Sequence, residues 1–500
     1  MAAISYFSLL LSILVVVPTL CVTPMNFLWI MSDDLGVGEV SWYPGRTNTN
    51  ITTPNVDALS ESGMSFLNAY TGSPVCAPSR GTLMTGLHTG HATIRGNHPS
   101  QGRDLPLAPS DKTFLEVLKA NGYHVSCVGK WGMGWEGTTG DPILKGCTDY
   151  FGVLDQSYAH NMYPSLPDFT LRYPASNGSQ VWETQPYASN ANASRITCMA
   201  ADTACIWTHD LWTKAALQAL TAAKARGAVP FFLYLAYTDP HAGGWGGEIE
   251  AGNPVPSDGD FAKESSWPVV ERDHASVIQN YQDRDVGALV GALESLGLRG
   301  STAVIFASDN GASNEGGHDY EFFGSSGPLR GFKRCLTEGG IRTPLVASLP
   351  GTIPAGILSS VPNTFYDWGD TILDLAGIPV SQWLGKDGVS LKEVLLSPTG
   401  EVPPTSPPRP PAYWEFCTDV HPPLEPRSGV GWGHAARNGT WKIVSFFEDQ
   451  EPRLYDLDND VYEVNDLAAE HPDIVASLSA WAKAQHVDSE IFPVKNCVPS

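Results

Sequence analysis

Three short apolar runs, each ending in a cluster of polar residues, set the pattern of this 500-residue chain. Asn26-Phe27-Leu28-Trp29-Ile30-Met31 leads into Ser32-Asp33-Asp34-Leu35-Gly36, residues 231–237 lead into Thr238-Asp239-Pro240-His241, and residues 302–308 lead into Asp309-Asn310-Gly311. Unbroken apolar stretches of this length read as strands buried on both faces, which is the habit of parallel sheets. Helical spacing of apolar residues lies between them at 112–120, 211–225 and 276–296. Strands alternating with helices predict an α/β domain with a mostly parallel central sheet flanked by helices. Such sheets place their sites beyond the carboxyl ends of the strands, where all three polar loops fall.

The pattern changes after a proline-rich stretch at 402–411, which cannot continue a helix or a central strand. Short strand-like runs follow at 412–416, 440–444 and 452–456, and a helix is expected at 472–485. This predicts a small C-terminal domain, residues 412–500, with an antiparallel sheet and one helix, after a large domain at 23–411. Residues 6–17 are almost wholly apolar but too short to span a bilayer, so residues 1–22 read as a signal peptide. No later segment is long and apolar enough to span a membrane. A secreted or lysosome-like, endomembrane-lumen protein follows.

Composition narrows the function. The chain is 42% hydrophobic and 17% charged, which is globular. Its net charge of -23 argues against nucleic acid or an anionic membrane as partner. Sequons at Asn50, Asn177, Asn192 and Asn438 fit a glycoprotein of the secretory route. Of nine cysteines, Cys21 leaves with the signal and Cys76 is assigned to chemistry, so an odd number remains and one thiol stays unpaired. Cys198 and Cys205 are close enough for a local disulfide; the other pairings do not follow from the sequence.

The chemistry-bearing segment is Pro74-Val75-Cys76-Ala77-Pro78-Ser79-Arg80-Gly81-Thr82-Leu83-Met84-Thr85-Gly86. Pro78 suits the first turn of a helix, and the i, i+4 spacing puts Cys76 and Arg80 on one face near backbone N–H groups that favour an anion. Asp33, Asp34, Asp309 and Asn310 offer only oxygen ligands, which suits a hard cation such as Ca²⁺ or Mg²⁺.

The segment resembles the sulfatase signature C-x-P-S-R-x-x-L-x-T-G, and the resemblance extends over nearly the whole mature chain. It implies an alkaline-phosphatase-like fold and an arylsulfatase-like hydrolase acting on a sulfated small molecule or glycan. It further implies that a formylglycine-generating enzyme oxidises Cys76 during maturation, and that the hydrated aldehyde attacks the sulfate ester while Arg80 steadies it. The matching metal positions are Asp33, Asp34, Asp309 and Asn310, with residue 76 facing the ion. Lys130 in Val128-Gly129-Lys130-Trp131 and Lys333 in Leu329-Arg330-Gly331-Phe332-Lys333 match the lysines that grip sulfate. His241 matches the histidine that contacts sulfate and protonates the leaving oxygen. In Glu315-Gly316-Gly317-His318-Asp319, His318 is a candidate substrate contact, while Glu338 and Arg342 are expected to brace the lysine loop by a salt bridge.

One position departs from the family. The second signature ordinarily reads G-K-W-H, whereas this chain has Gly129-Lys130-Trp131-Gly132. The missing histidine serves as the base that expels sulfate. His160, in Tyr158-Ala159-His160-Asn161-Met162-Tyr163-Pro164, is the expected substitute. Slowed turnover or an inactive enzyme is the alternative at that position. For the whole chain, a phosphate or phosphonate ester hydrolase on the same scaffold and a non-catalytic binder of sulfated glycans also stay open.

Overall fold

The computed structural model describes residues 24–500 apart from 48, 98–104, 157, 165–168, 175–179, 186–204, 246–251, 384–385, 405, 419–429, 447–449, 496 and 498–500. The expected signal peptide, the sequons at Asn177 and Asn192, and Cys198 lie outside the described residues. Five parallel strands form the centre of a ten-stranded sheet, in the order Thr302–Ser308, Asn26–Ser32, Phe231–Ala236, His124–Lys130 and Asp149–Val153. Antiparallel neighbours flank them, Leu345–Ser348 on one side and Phe169–Pro174 on the other.

The central strands are buried on both faces, as their unbroken apolar runs require. Phe27, Trp29 and Met31 enter one core with Phe365, Trp368 and Ile372 of the helix Phe365–Leu375. Leu28 and Ile30 enter the other core with Trp212, Ala216 and Leu220 of the helix Thr208–Ala225. Because side chains alternate across a strand, a one-residue slip would exchange the two sets and break both cores.

The segment expected as one helix at 276–296 forms a longer helical run. An α-helix at Val269–Ser276 passes through a π-helical segment, Val277–Asp283, into Arg284–Ser295. The C-terminal sheet has four antiparallel strands, Ala412–Thr418, Gly431–Asn438, Trp441–Ser445 and Arg453–Asp456. Its second strand carries the sequence Gly-Trp-Gly-His-Ala-Ala-Arg-Asn, whose small and charged residues give no clear alternation. The helix Pro472–Gln485 covers one face through Leu478 and Ala482. The other face, with Trp414, Phe416 and Tyr455, packs on Tyr70, Val75, Leu336 and Ile341.

The small sheet therefore backs two chemical segments: the residue before Cys76 and the loop after Lys333. A buried ion network crosses the same contact. Glu338 pairs with Arg342 and accepts from Lys442 Nζ at 2.8 Å, and Lys442 also reaches Glu463 at 2.8 Å. Disulfides join Cys127 to Cys147 and Cys417 to Cys497. Cys205 is also disulfide-bonded, and Cys335 is a buried free thiol.

Candidate active site

The site assembles where the central strands end. Asp33 and Asp34 follow Asn26–Ser32, Lys130 closes His124–Lys130, His241 follows Phe231–Ala236, and Asp309 and Asn310 follow Thr302–Ser308. The helix Cys76–Thr85 presents Cys76 at its first position, with all ten residues buried. Asp34 takes a left-handed φ of 71°, a conformation that aspartate tolerates better than most residues and that turns the chain sharply after the strand.

Arg80 is the hub beneath the carboxylates. Its Nε and Nη2 donate to Asp309 Oδ2 at 3.0 and 2.8 Å, and Nη1 donates to the Lys130 carbonyl at 2.9 Å. Lys130 Nζ donates to Asp33 Oδ2 at 2.7 Å, while Cys76 Sγ lies 3.5 Å from Asp33 Oδ1. On the far side Lys333 Nζ is 2.9 Å from Asp34 Oδ2, from Glu315 Oε2 and from His241 Nε2. Asn310 Nδ2 donates to Asp34 Oδ1 at 2.7 Å, and its Oδ1 is buried with no hydrogen-bond partner.

The charges explain the titration behaviour. Burial pushes the Cys76 thiol well above its ordinary value, and Lys130 offsets this only in part, so the unmodified residue is a protonated, weak nucleophile. Burial also raises Asp33, but Lys130 foremost, then His241 and Arg80, hold it far below the usual carboxylate range. Asp309 is pushed up to about 6 by burial and the charge of Asp33, with Arg80 opposing. His241 is lowered by burial and by Lys333. Its Nδ1 donates to the Ala242 carbonyl at 2.6 Å, which leaves the Nε2 lone pair to accept from Lys333.

His160 reaches this cluster. Its ring stacks on His241 with centroids 4.2 Å apart, and its Nδ1 is buried without a partner. Burial and the neighbouring His241 hold it well below 6.5, so it stays neutral. Gly132 has φ +71°, and a Cβ there would land on the Gln156 amide, which fills the space a side chain would need. His318 lies in a neighbouring cluster. Its Nδ1 is 2.7 Å from Glu271, and its ring stacks on His274, which pairs with Glu39. That puts His318 one layer away from the carboxylates around Cys76.

Two participants had no assigned role in the sequence. Glu315 ties Lys333 to Arg334 and lies 3.3 Å from His241 Nε2, and only its place in the Glu-Gly-Gly-His-Asp segment hinted at it. His209 sits beneath the His241 loop with both ring nitrogens on carboxylates, Asp239 at 2.9 Å and Asp285 at 3.1 Å. A single histidine in an amphipathic helix gives no such signal.

The sulfatase family profile matches residues 25–378, and the profile described as N-sulphoglucosamine sulphohydrolase, C-terminal, matches 331–485. The chain belongs to the sulfatase family. Sulfatases are sulfuric ester hydrolases, and members similar to this one are named for carbohydrate sulfates and for aryl sulfates. Arylsulfatase A of Bos taurus is 30% identical over 91% of this chain and 82% of that protein. N-acetylgalactosamine-6-sulfatase of Sus scrofa is 29% identical over 75% of this chain, and the chain spans just under two thirds of its length, 66%. The solved structure of Ps i-CgsB is 26% identical with a TM-score of 0.72, covering 92% of this chain and 93% of that one. No helix among the described residues is long and apolar enough to cross a membrane.

Proposed function

We propose that this sulfatase hydrolyses sulfate monoesters with a formylglycine derived from Cys76 and a hard divalent cation. One observation carries the reading: Asp33, Asp34, Asp309 and Asn310 converge on Cys76 from two strand ends, with Lys130 and Lys333 on either side. Asp33 and Asp34 group with Cys76 and His241 at metal-compatible distances, and the set of Asp33, Asp34, Asp309 and Asn310, all oxygen donors with the buried Asn310 Oδ1 lacking any other partner, fits Ca²⁺ or Mg²⁺ once residue 76 also offers oxygen. When bound, the cation supplies positive charge against a sulfuryl oxygen and against the hydroxyls of an aldehyde hydrate at position 76.

The chain's own residues do the rest. Lys130 and Lys333 flank the place where the sulfuryl oxygens would lie, so their ammonium groups neutralise charge that grows in the transition state. The Lys333–His241 pair handles the proton of the leaving oxygen. In the resting arrangement that proton sits on Lys333, because His241 Nδ1 is committed to a carbonyl and Nε2 accepts. The pair, rather than His241 alone, is the acid. His160 is the base that releases sulfate, since its buried Nδ1 is unpartnered, its ring stacks on His241, and Gly132 offers no side chain.

The deciding experiment is a peptide mass for the segment holding residue 76, from protein purified from its own host, paired with turnover of matched aryl sulfate and aryl phosphate. An aldehyde or its hydrate with preferential sulfate release is expected. An intact thiol without hydrolysis would move the chain to a binder of sulfated glycans, and preferential phosphate release would move it to a phosphate ester hydrolase.

A further inference from the structure

Beside His241 lies a small niche of about 10 Å³, room for one water-sized group, whose lining includes Ala242, Asn253, His274, Ser313, Glu315 and His318. Asn253 is 2% exposed, yet neither its Oδ1 nor its Nδ2 has a hydrogen-bond partner. His318 is 7% exposed and donates Nδ1–H to Glu271 Oε2, which leaves an unpartnered, buried lone pair on Nε2. Burial and the neighbouring His274 lower its pKa, which favours the neutral ring. Leaving buried polar atoms unmet costs about 1–3 kcal/mol each, so the niche calls for a polar occupant the size of a water or a hydroxyl.

The chemistry of the niche selects the group. It offers an imidazole acceptor and an amide that both donates and accepts, and a hydroxyl matches that set. The metal-spaced group nearby, Glu39, His274 and His318, is a separate cluster: Glu39 does not line the niche and is paired with His274 Nε2. Glu315 connects the niche to the reaction, because it lines the niche and also holds Lys333 at 2.9 Å. Glu315 thus spans the distance from the niche to the lysine assigned to sulfate.

We propose that the niche between Asn253 and His318 is a subsite for an aliphatic hydroxyl of a sugar sulfate, borne on the same ring as the ester. This rests on the sulfatase reading and makes the enzyme select sugar sulfates over flat aryl sulfates. The hydroxyl donates to His318 Nε2 and exchanges hydrogen bonds with the Asn253 amide. A site built to bond a hydroxyl discriminates strongly against the analogue that lacks it.

The test uses the full-length protein with 4-nitrophenyl sulfate, with 4-methylumbelliferyl glycosides of galactose 6-sulfate and N-acetylgalactosamine 6-sulfate, and with their monodeoxy analogues. In the wild type, one monodeoxy analogue is expected to lose about tenfold or more in kcat/KM, the effect of about one lost buried hydrogen bond. That loss should collapse in Asn253→Ala and in His318→Ala, as a double-mutant cycle requires. The isosteric Asn253→Asp, which keeps the packing and inverts the donor, supplies the same reading if an alanine variant fails to fold. Equal turnover of every monodeoxy analogue, or a loss that persists in all three variants, overturns the subsite. So does turnover of 4-nitrophenyl sulfate without any sugar sulfate, and that outcome leaves the sulfatase reading intact. Turnover of no sulfate at all removes both.

Discussion

His209 should make stability fall as pH rises through the weakly alkaline range. Its two nitrogens face Asp239 and Asp285, and its ring lies between Trp207 and Tyr237, with centroids 4.9 and 4.4 Å away. Both nitrogens can donate only in the imidazolium. Burial opposes that charge, but the hydrogen bonds to Asp239 and Asp285 overcome it and raise the pKa from 6.5 to about 9. The gap corresponds to about 3 kcal/mol, fully present below pH 6.5 and lost as pH climbs through about 9. In His209→Gln the two buried carboxylates lose their cation, at a cost of about 3–5 kcal/mol near pH 6. Urea unfolding of both proteins from pH 6 to 9.5 measures the difference. The wild type should lead by that amount at pH 6, and the lead should shrink by about 3 kcal/mol at the alkaline end. A lead that stays constant with pH would refute the imidazolium. The variant should also lose turnover, because Asp239 belongs to the loop that sets His241.

Restoring the family's histidine by Gly132→His should harm the protein. The left-handed backbone costs about 1–2 kcal/mol for a residue with a side chain, and displacing the buried Gln156 adds about 1–3 kcal/mol. A lowered thermal midpoint with no gain in kcat is expected, and a faster enzyme of unchanged midpoint would show that the space exists. His160→Ala should release about one equivalent of alcohol per site in a burst while sulfate release lags; stopped-flow absorbance beside a sulfate assay reads this, and simultaneous steady release of both would take His160 out of the mechanism. Chelation should lower the thermal midpoint, and calcium at about a hundredfold its Kd should restore about 3 kcal/mol, with a calcium-independent melt arguing against the oxygen cluster as its site.

Much of the site was legible because its residues sit where strands stop. An apolar run buried on both faces ends abruptly, and the first polar residues after it are pinned by the sheet, as at Asp33, Asp309 and His241. The helix at Pro472–Gln485 was legible for a similar reason, with proline marking its start and apolar spacing its face. The strand Gly431–Asn438 was not, because its buried residues other than Trp432 are small or charged, Gly433, Ala435, Ala436 and Arg437. The roles of His209, Glu315 and Asn253 depend on partners 30 to 76 residues away in the case of His209, and no local pattern encodes such pairings. The Gly132 departure was visible, but its surroundings were not, since its left-handed backbone and the nearby Gln156 amide appear only in the folded chain.

Cys76 is 1% exposed, and the helix that begins with it is closed over by the small sheet through Val75. Under the proposed formylglycine reading, an enzyme that oxidises this side chain would have no access to it in the finished protein. Conversion would then be a race against folding: the 74–86 segment would have to be met before the strand that ends at Ser308 and the sheet that begins at Ala412 have docked. The yield of converted protein would depend on how quickly the C-terminal half is made and closes, and co-expression at slowed synthesis against refolded protein would read this as the fraction of residue 76 converted.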